Sequence, residues 1–437
     1  MKKLTELLSP AGTRRAMRFA YAYGADAVYA GQPRYSLRVR ENEFSSENIG
    51  ESIAEAHALG KRFYLASNIS PHNEKVRTYI KDLEPIIEAK PDALIMADPG
   101  LIMMVRERWP EQEIHLSVQS NAVNFATVKF WKQVGISRII LSRELSIREL
   151  EDMRNECPDM ELEVFVHGAL CMAYSGRCLL SGYINHRDAN QGTCTNACRW
   201  KYDVKEIKED EWGNIQELPT LGEGPTTDKI FLINQPGEKD RDMIVHEDEH
   251  GTHILNSKDL RAIHHVEKFV EMGINCLKIE GRTKSYFYVA RTAQLYRQAI
   301  DDAVAGKPFN IELMDALEGL ANRGYTEGLF RRHVHDEYQN YEQGNSISKK
   351  QQFVGDIMDY NAATGMAEID VKNKFCVGDT IEIMQPTGNK VVTLEKMEDK
   401  YGNARDSAPG SGHIVKIHVG NLTHPDLGLL IRYLPGS

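Results

Sequence analysis

The 437-residue chain has no apolar run long enough to cross a bilayer and no lipidation motif, which excludes a helical membrane anchor. Its Met-Lys-Lys-Leu-Thr start is followed at once by acidic and turn residues. A secretory apolar core is therefore missing, and a cytoplasmic location is expected. GxSxG is absent, which removes one common hydrolase signature. No GxGxxG follows the first expected strand, which removes a dinucleotide fold. A surplus of positive charge is lacking too. The net charge of −10 argues against a generic nucleic-acid binder. Basic residues do cluster locally, at Arg34, Arg38 and Arg40, Arg199 and Lys201, Arg282 and Lys284, and Arg331 and Arg332. Such a strip can hold phosphates while the far side stays acidic. For any single one of these residues a solvated surface charge is the simpler reading.

With 41% hydrophobic and 27% charged residues, the composition is that of a globular protein long enough for two or three domains. Short apolar runs at 6–9, 27–30, 63–67, 93–97, 114–118, 138–141, 162–166 and 276–279 read as strands. Amphipathic stretches at 13–23, 47–59, 74–89, 100–108, 122–133, 146–156, 258–271 and 284–304 read as helices. Gly24, Gly60, Gly135 and Gly273 stand where helices should close. Eightfold strand–helix alternation predicts an α/β fold, a (β/α)8 barrel over residues 1–305. An open doubly wound sheet is the alternative. The seventh crossover is unusually long, an insertion over 168–256, and its part 205–250 reads as a hairpin or lid. Residues 306–350 form a helical connector, with its helix at 312–321. The connector ends in RGYTEGLFRRHVHDEYQNYE, whose aromatics suit interdomain packing or base stacking. Short strands at 353–358, 366–371, 380–384, 390–396, 413–419 and 428–431 predict a small all-β barrel over 351–437.

Four of the seven cysteines fall in HGALCMAYSGRCLLSGYINHRDANQGTCTNACR: Cys171, Cys178, Cys194 and Cys198. Their density in one glycine-punctuated segment points to a four-thiolate metal site. Two disulfides would need an oxidising compartment. A structural zinc site favours paired short knuckles, and only Cys194 and Cys198 are so spaced. An iron–sulfur cluster tolerates the wider spacing better, although spacing alone does not separate it from zinc. Cys157, Cys276 and Cys376 are scattered and read as ordinary thiols.

In a barrel, polar residues at strand C-termini line the working mouth. Those positions are Ser9, Tyr29, Asn68, Asp98, Gln119, Asn121, Arg143, Glu144, His167, Lys278, Glu280 and Arg282. Ser9 precedes a proline and fits a turn. Asp98 and Glu144 fit helix caps equally well. Lys278 and Glu280 lie two apart on one strand, so they face the same side and can form a proton-tuning or a structural ion pair. His167 can donate a proton, brace a neighbour or cap a turn.

The cysteine segment, LLSPAG (7–12), DAVYAGQPRYSLRVR (26–40) and LKIEGRTKSYFYVARTAQLYR (277–297) together resemble the collagenase-like peptidase family of unknown catalytic type, over nearly the whole chain. That resemblance implies a [4Fe–4S] cluster on Cys171, Cys178, Cys194 and Cys198. It also implies an RNA-hydroxylating activity that uses prephenate rather than molecular oxygen. In the tRNA-acting branch the product is 5-hydroxyuridine at the wobble position. If prephenate is the partner, its two carboxylates call for arginine forks, and Arg143 and Arg282 are the candidates. Asn68, Gln119, Asn121 and Tyr29 would complete substrate binding. His167, Lys278, Glu280 and Glu144 would be the groups available for proton transfer. The family's name implies a peptidase instead, and a non-catalytic RNA-binding factor stapled by metal is a third reading.

Overall fold

The computed structural model describes residues 5–37, 42–45, 47–170, 207–209, 215–217, 229–234, 242–248, 251–252, 258–322, 324–331 and 350–434. Eight parallel strands form a ring: β1 (Glu6–Pro10), β2 (Ala27–Gly31), β3 (Arg62–Ser67), β4 (Ala93–Met96), β5 (Ile114–Leu116), β6 (Arg138–Ile140), β7 (Glu161–Ala169) and β8 (Cys276–Ile279). Each pairs with its successor, and β8 pairs with both β7 and β1, so the ring is closed. The expected (β/α)8 barrel is present. Its helices are α1 (Arg14–Ala22), α2 (Ile49–Ala58), α3 (Asn73–Glu88), α4 (Pro99–Arg108), α5 (Phe125–Gln133), α6 (Ile147–Glu156), α7 (Val266–Met272) and α8 (Tyr286–Val304).

Local chemistry sets where the helices begin. Thr13, Asp98, Asn124, Ser146 and Ser285 each accept a first-turn backbone N–H through the side chain, satisfying donors that the helix leaves unpaired. Asp98 is thus a cap, as expected. Glu144 is not, because Ser146 caps α6 in a reciprocal pair with Glu149. The helix expected over 258–271 is shorter. Asp259–Arg261 is a strand antiparallel to the end of β7, with Asp259 opposite Ala169 and Arg261 opposite His167. Leu260, Ile263 and Val266 repeat at helical spacing, but pairing with β7 overrides that local signal.

Between β7 and Asp259, Ile207–Glu209 pairs antiparallel with Ile215–Glu217, and Lys229–Asn234 with Asp242–Asp248. The insertion therefore contains hairpins, and its two ends meet at the C-terminal end of β7. Cys171, Cys178, Cys194, Cys198, Arg38, Arg40, Arg199, Lys201 and Arg332 lie outside the described residues.

A seven-stranded antiparallel sheet follows. Lys390–Thr393 is at one edge and Met397–Asp399 at the other. A flat sheet of that width would separate its edges by about 29 Å, at ~4.8 Å per strand. Residues 394–396 can bridge at most about 14 Å. The sheet is therefore rolled up, around its own core of Val354, Ile369, Phe375, Ile383, Val415 and Leu430. It docks on α8 and α1. Phe287 stacks on Phe353 with ring centroids 4.9 Å apart. Arg291 meets Glu382 through two bonds of 2.8 and 2.6 Å, buried on both sides. Tyr23 donates its hydroxyl to the carbonyls of Met384 and Leu427.

Candidate functional site

Side chains alternate along a strand, and partners across parallel strands share a face. The observed register therefore sorts the barrel interior. Glu6 stands beside Cys276, Leu8 beside Lys278 and Ala27, Tyr29 beside Tyr64, and His115 beside Arg138. Ser9 has the opposite parity to Leu8. It is buried away from the interior and is not a mouth residue.

At the N-terminal end the interior is ionic rather than aliphatic. Arg138 Nη1 lies 2.7 Å from Glu6 and 3.4 Å from Glu163, and its Nη2 2.8 Å from Glu161. Tyr64 donates to Glu6. One level higher, Lys278 Nζ lies 2.9 Å from Glu163 Oε1, 4.4 Å from the Tyr29 ring centroid and 5.3 Å from that of Phe165. Burial alone would raise the Glu163 pKa. The charges of Lys278 and Arg138 outweigh it and hold that carboxylate below its ordinary value. Lys278 is thus in an ion pair, but its partner is Glu163 rather than Glu280.

Glu280 belongs to the layer above, at the C-terminal mouth. Its Oε2 lies 3.1 Å from the Tyr29 hydroxyl and 4.0 Å from Arg143 Nη2. The Tyr29 hydroxyl also lies 3.0 Å from the Ile279 carbonyl. Burial, then the charge of Glu280, pushes Tyr29 ionisation well up, so its phenol is a standing donor. The Arg143 guanidinium is stacked over Phe165, 3.7 Å from the ring centroid. Arg282 donates to Ser36 Oγ at 2.6 Å. Gly31 allows this approach, since a Cβ there would fall 2.5 Å from Arg282 Nη1. Arg143, Arg282, Glu280 and Tyr29 therefore share one wall, formed by β2, β6 and β8. Two guanidiniums, one carboxylate and a phenol can receive anionic oxygens bidentately and move a proton beside them.

The opposite wall is neutral and polar. Asn68 Nδ2 donates to Gln119 Oε1 at 2.8 Å, Gln119 Nε2 donates to the Asn68 carbonyl at 3.1 Å, and Ser117 donates to Gln119 Oε1. Asn121 adopts φ +50° after a short 3-10 turn (Val118–Ser120) and donates to the Gln119 carbonyl at 2.8 Å. Glu144 is half-buried in the turn beside Arg143.

His167 is not a mouth residue. Its ring packs among Tyr288, Tyr296 and Tyr325, with centroids 5.5–5.8 Å away, and is almost wholly buried. Burial pulls its pKa down to about 3, so the imidazole is neutral near pH 7. It is a packing residue whose Nδ1 faces the Tyr296 hydroxyl at 3.4 Å. The next residue, Gly168, has φ +102°, and a Cβ there would meet the Glu280 carbonyl oxygen at 2.4 Å. The β7 end, from which the cysteine segment departs, is thus pressed against Glu280. Of the three remaining cysteines, Cys157 and Cys276 are buried free thiols and Cys376 is half-buried.

Sequence reasoning missed Ser36, Ser117, Phe165 and Glu163. Glu163 carried a usable signal, a lone acid inside the apolar run LEVFV of a buried strand. Two described aromatics of the connector pack on the first barrel. Tyr325 lies against His167 and Arg261, and Phe330 against His265 and Phe269. Residues 332–349 lie outside the described residues. Of the local basic residues, Arg34 pairs with Asp82 and Arg331 with Glu327.

Comparison with known proteins places this architecture. The profile of peptidase family U32 matches residues 12–340, and that of the peptidase family U32 C-terminal domain matches residues 349–432. The tRNA hydroxylation protein P of Escherichia coli (strain K12) is 62% identical, over 99% of this chain and 97% of its own. The protein of the same name from Haemophilus influenzae is 61% identical, over 98% and 96%. The tRNA hydroxylation protein P1 of Bacillus subtilis is 34% identical, over 97% and 94%. No helix among the described residues is long and apolar enough to cross a membrane.

Proposed function

The chain belongs to peptidase family U32, and we propose that within it this protein is a tRNA-modifying enzyme, a hydroxylase of the wobble uridine that yields 5-hydroxyuridine. The observation that carries the reading is 62% identity, end to end, with a relative named for tRNA hydroxylation. In this reading prephenate is the co-substrate and the reaction needs no molecular oxygen. The forks of Arg143 and Arg282 hold its carboxylates. Glu280, hydrogen-bonded by Tyr29, holds or releases a proton at the reacting centre. Asn68, Gln119 and Asn121 meet the uracil edge. Lys278 and Glu163, shut beneath the mouth, hold the floor in place.

The donor set Cys171, Cys178, Cys194 and Cys198 suits a [4Fe–4S] cluster, which when bound would supply electron transfer or Lewis acidity. The segment bearing them leaves β7 at Ala169, opposite Asp259 and next to Glu280. Local basic residues offset the net charge of −10 where RNA phosphates approach. The family name favours a peptidase. Against that reading, GxSxG is absent, the HExxH string at 246–250 begins on a strand, Asp242–Asp248, rather than on the helix a zinc peptidase needs, and the mouth residues build an anion receptor rather than a nucleophile–base pair.

The test is nucleoside mass spectrometry of tRNA from cells lacking their own hydroxylation activity and expressing this chain. Anaerobic iron, sulfide and zinc analysis of the purified protein accompanies it. Restored 5-hydroxyuridine, lost in Cys198→Ala together with the iron, is expected. A soluble, colourless, zinc-bearing protein that restores no modification overturns the proposal.

A further inference from the structure

Outside the barrel mouth, two imidazoles and one carboxylate converge. His264 and His265 lie in the 3-10 turn Ile263–His265, and Glu327 immediately precedes the turn Gly328–Phe330. Glu327 Oε2 is 2.9 Å from His264 Nε2 and 2.8 Å from His265 Nε2. One ligating atom from each residue fits within 4.8 Å of the others. The two histidine rings lie 3.9 Å apart. Sequence neighbours on a 3-10 turn point about 120° apart by its three-residue period, so their convergence is imposed from outside the turn.

The carboxylate alone explains it poorly. Arg331 Nε is a third donor on the same oxygen, at 3.2 Å, and a carboxylate oxygen offers only about two acceptor directions. A carboxylate only accepts, so without an ion each Nε2 points its proton at Glu327, while His264 Nδ1 is buried without a hydrogen-bond partner. A cation seated among the three groups would take the place of those protons, each imidazole passing to its Nδ1–H tautomer and giving the Nε2 lone pair to the ion. The half-exposed Arg331 can swing aside.

We propose that His264, His265 and Glu327 bind a divalent transition cation, with Zn2+ as the reference ion. Two imidazoles with one carboxylate is a donor set suited to zinc and its first-row neighbours. Calcium and magnesium favour oxygen-only ligands. Among the described residues no sulfur takes part. Its place in the fold gives it a role. Gly328, next to Glu327, abuts Leu260 and Leu170, and Leu170 directly precedes Cys171. The cation would tie the connector turn to the barrel at the point where the cysteine segment departs.

The experiment uses full-length protein purified anaerobically with its thiolate site left loaded. Zn2+ is titrated by calorimetry, and Co2+ is added in parallel as a spectroscopic probe. One ion per chain beyond the thiolate-bound metal is expected. The Co2+ spectrum should show ligand-field bands without a thiolate charge-transfer band. His264→Ala and Glu327→Gln should each weaken binding about tenfold or more, since losing even an outer-shell partner can cost that much. Wild-type protein that takes up no further ion, or variants that bind as wild type does, would overturn the proposal. If a variant misfolds, wild-type stoichiometry and the Co2+ spectrum still decide. Neither readout depends on tRNA hydroxylation, so the two proposals fail separately.

Discussion

Glu163 is the residue whose removal the barrel should tolerate least. Its carboxylate has no solvent exposure, accepts from Lys278 at 2.9 Å and faces Arg138 at 3.4 Å. In Glu163→Gln, Arg138 keeps Glu6 and Glu161. Lys278, 4% exposed, keeps no counter-charge, only the neutral amide of the substituted side chain and the faces of Tyr29 and Phe165. Breaking a buried pair while leaving one charge behind costs about 3–5 kcal/mol. At roughly 2 °C per kcal/mol for a large domain, the barrel transition should fall by about 6–10 °C. Differential scanning calorimetry and urea titration followed by tryptophan fluorescence would measure it. A double variant, Glu163→Leu with Lys278→Met, removes both charges and should recover most of the loss. The pH dependence has a fixed sign. Because the folded carboxylate is held below its ordinary value, its stabilisation is present above the unfolded pKa of about 4.3 and is lost as pH falls through the folded value. A cost below about 1 kcal/mol in Glu163→Gln, or a double variant no better than the single one, would refute the buried-pair reasoning.

Other consequences are as direct. His167, pulled to about pH 3 by burial, binds a proton in the unfolded chain from about pH 6.5 downward but not in the folded one. It should therefore cost up to about 1.4 kcal/mol per pH unit across that window, and His167→Phe should flatten this part of the stability–pH curve. Gly168→Ala places a Cβ 2.4 Å from the Glu280 carbonyl oxygen at φ +102°. It should cost about 1–3 kcal/mol and reduce tRNA hydroxylation more than it reduces folded yield, read by nucleoside mass spectrometry against circular dichroism. Arg282→Lys keeps the charge but loses the planar fork that reaches Ser36. If prephenate is the co-substrate, as proposed, it should raise the prephenate concentration needed for half-maximal hydroxylation about tenfold, whereas an unchanged requirement would remove Arg282 from the anion site.

Much of the barrel was legible because each strand is a short apolar run, and five of its eight helices open on a side-chain cap. Met366–Val371 and Thr380–Met384 stand where alternation placed them. The stretch at 258–271 misled because Leu260, Ile263 and Val266 keep a helical period while Asp259–Arg261 answers to a partner strand some 90 residues earlier. Site residues were legible as positions rather than as contacts. Strand-end position put Arg143, Glu280 and Tyr29 at the mouth, and the structure brings them together. The true partner of Lys278 depends on a register between β7 and β8 that carries a bulge after Lys278, and no local pattern reveals that. His167 looked chemical because it adjoins the cysteines. Its role was decided by three tyrosines drawn from residues 288–325.

Helix α8 couples the two halves of the molecule in a way neither half shows alone. It starts directly after the turn carrying Glu280 and Arg282, and Ser285 caps it. Residues on one side of it hold the barrel. Tyr288 donates to the Glu280 carbonyl at 2.7 Å, and Tyr296 to the Val166 carbonyl at 2.7 Å. Residues on the other side hold the rolled sheet: Tyr286 on Asp356 at 2.6 Å, Phe287 on Phe353, and Arg291 on Glu382. Tyr286 and Tyr288 are two residues apart, so a shift of the sheet that pulls on one moves the other by a comparable amount. Packed helices are stiff over such distances because interiors are close-packed. An RNA gripping the C-terminal sheet would therefore act on the position of Glu280 without touching it. The buried Arg291–Glu382 pair is the joint through which that force passes. Glu382→Gln should accordingly impair hydroxylation of whole tRNA more than that of a short anticodon stem-loop too small to reach the sheet.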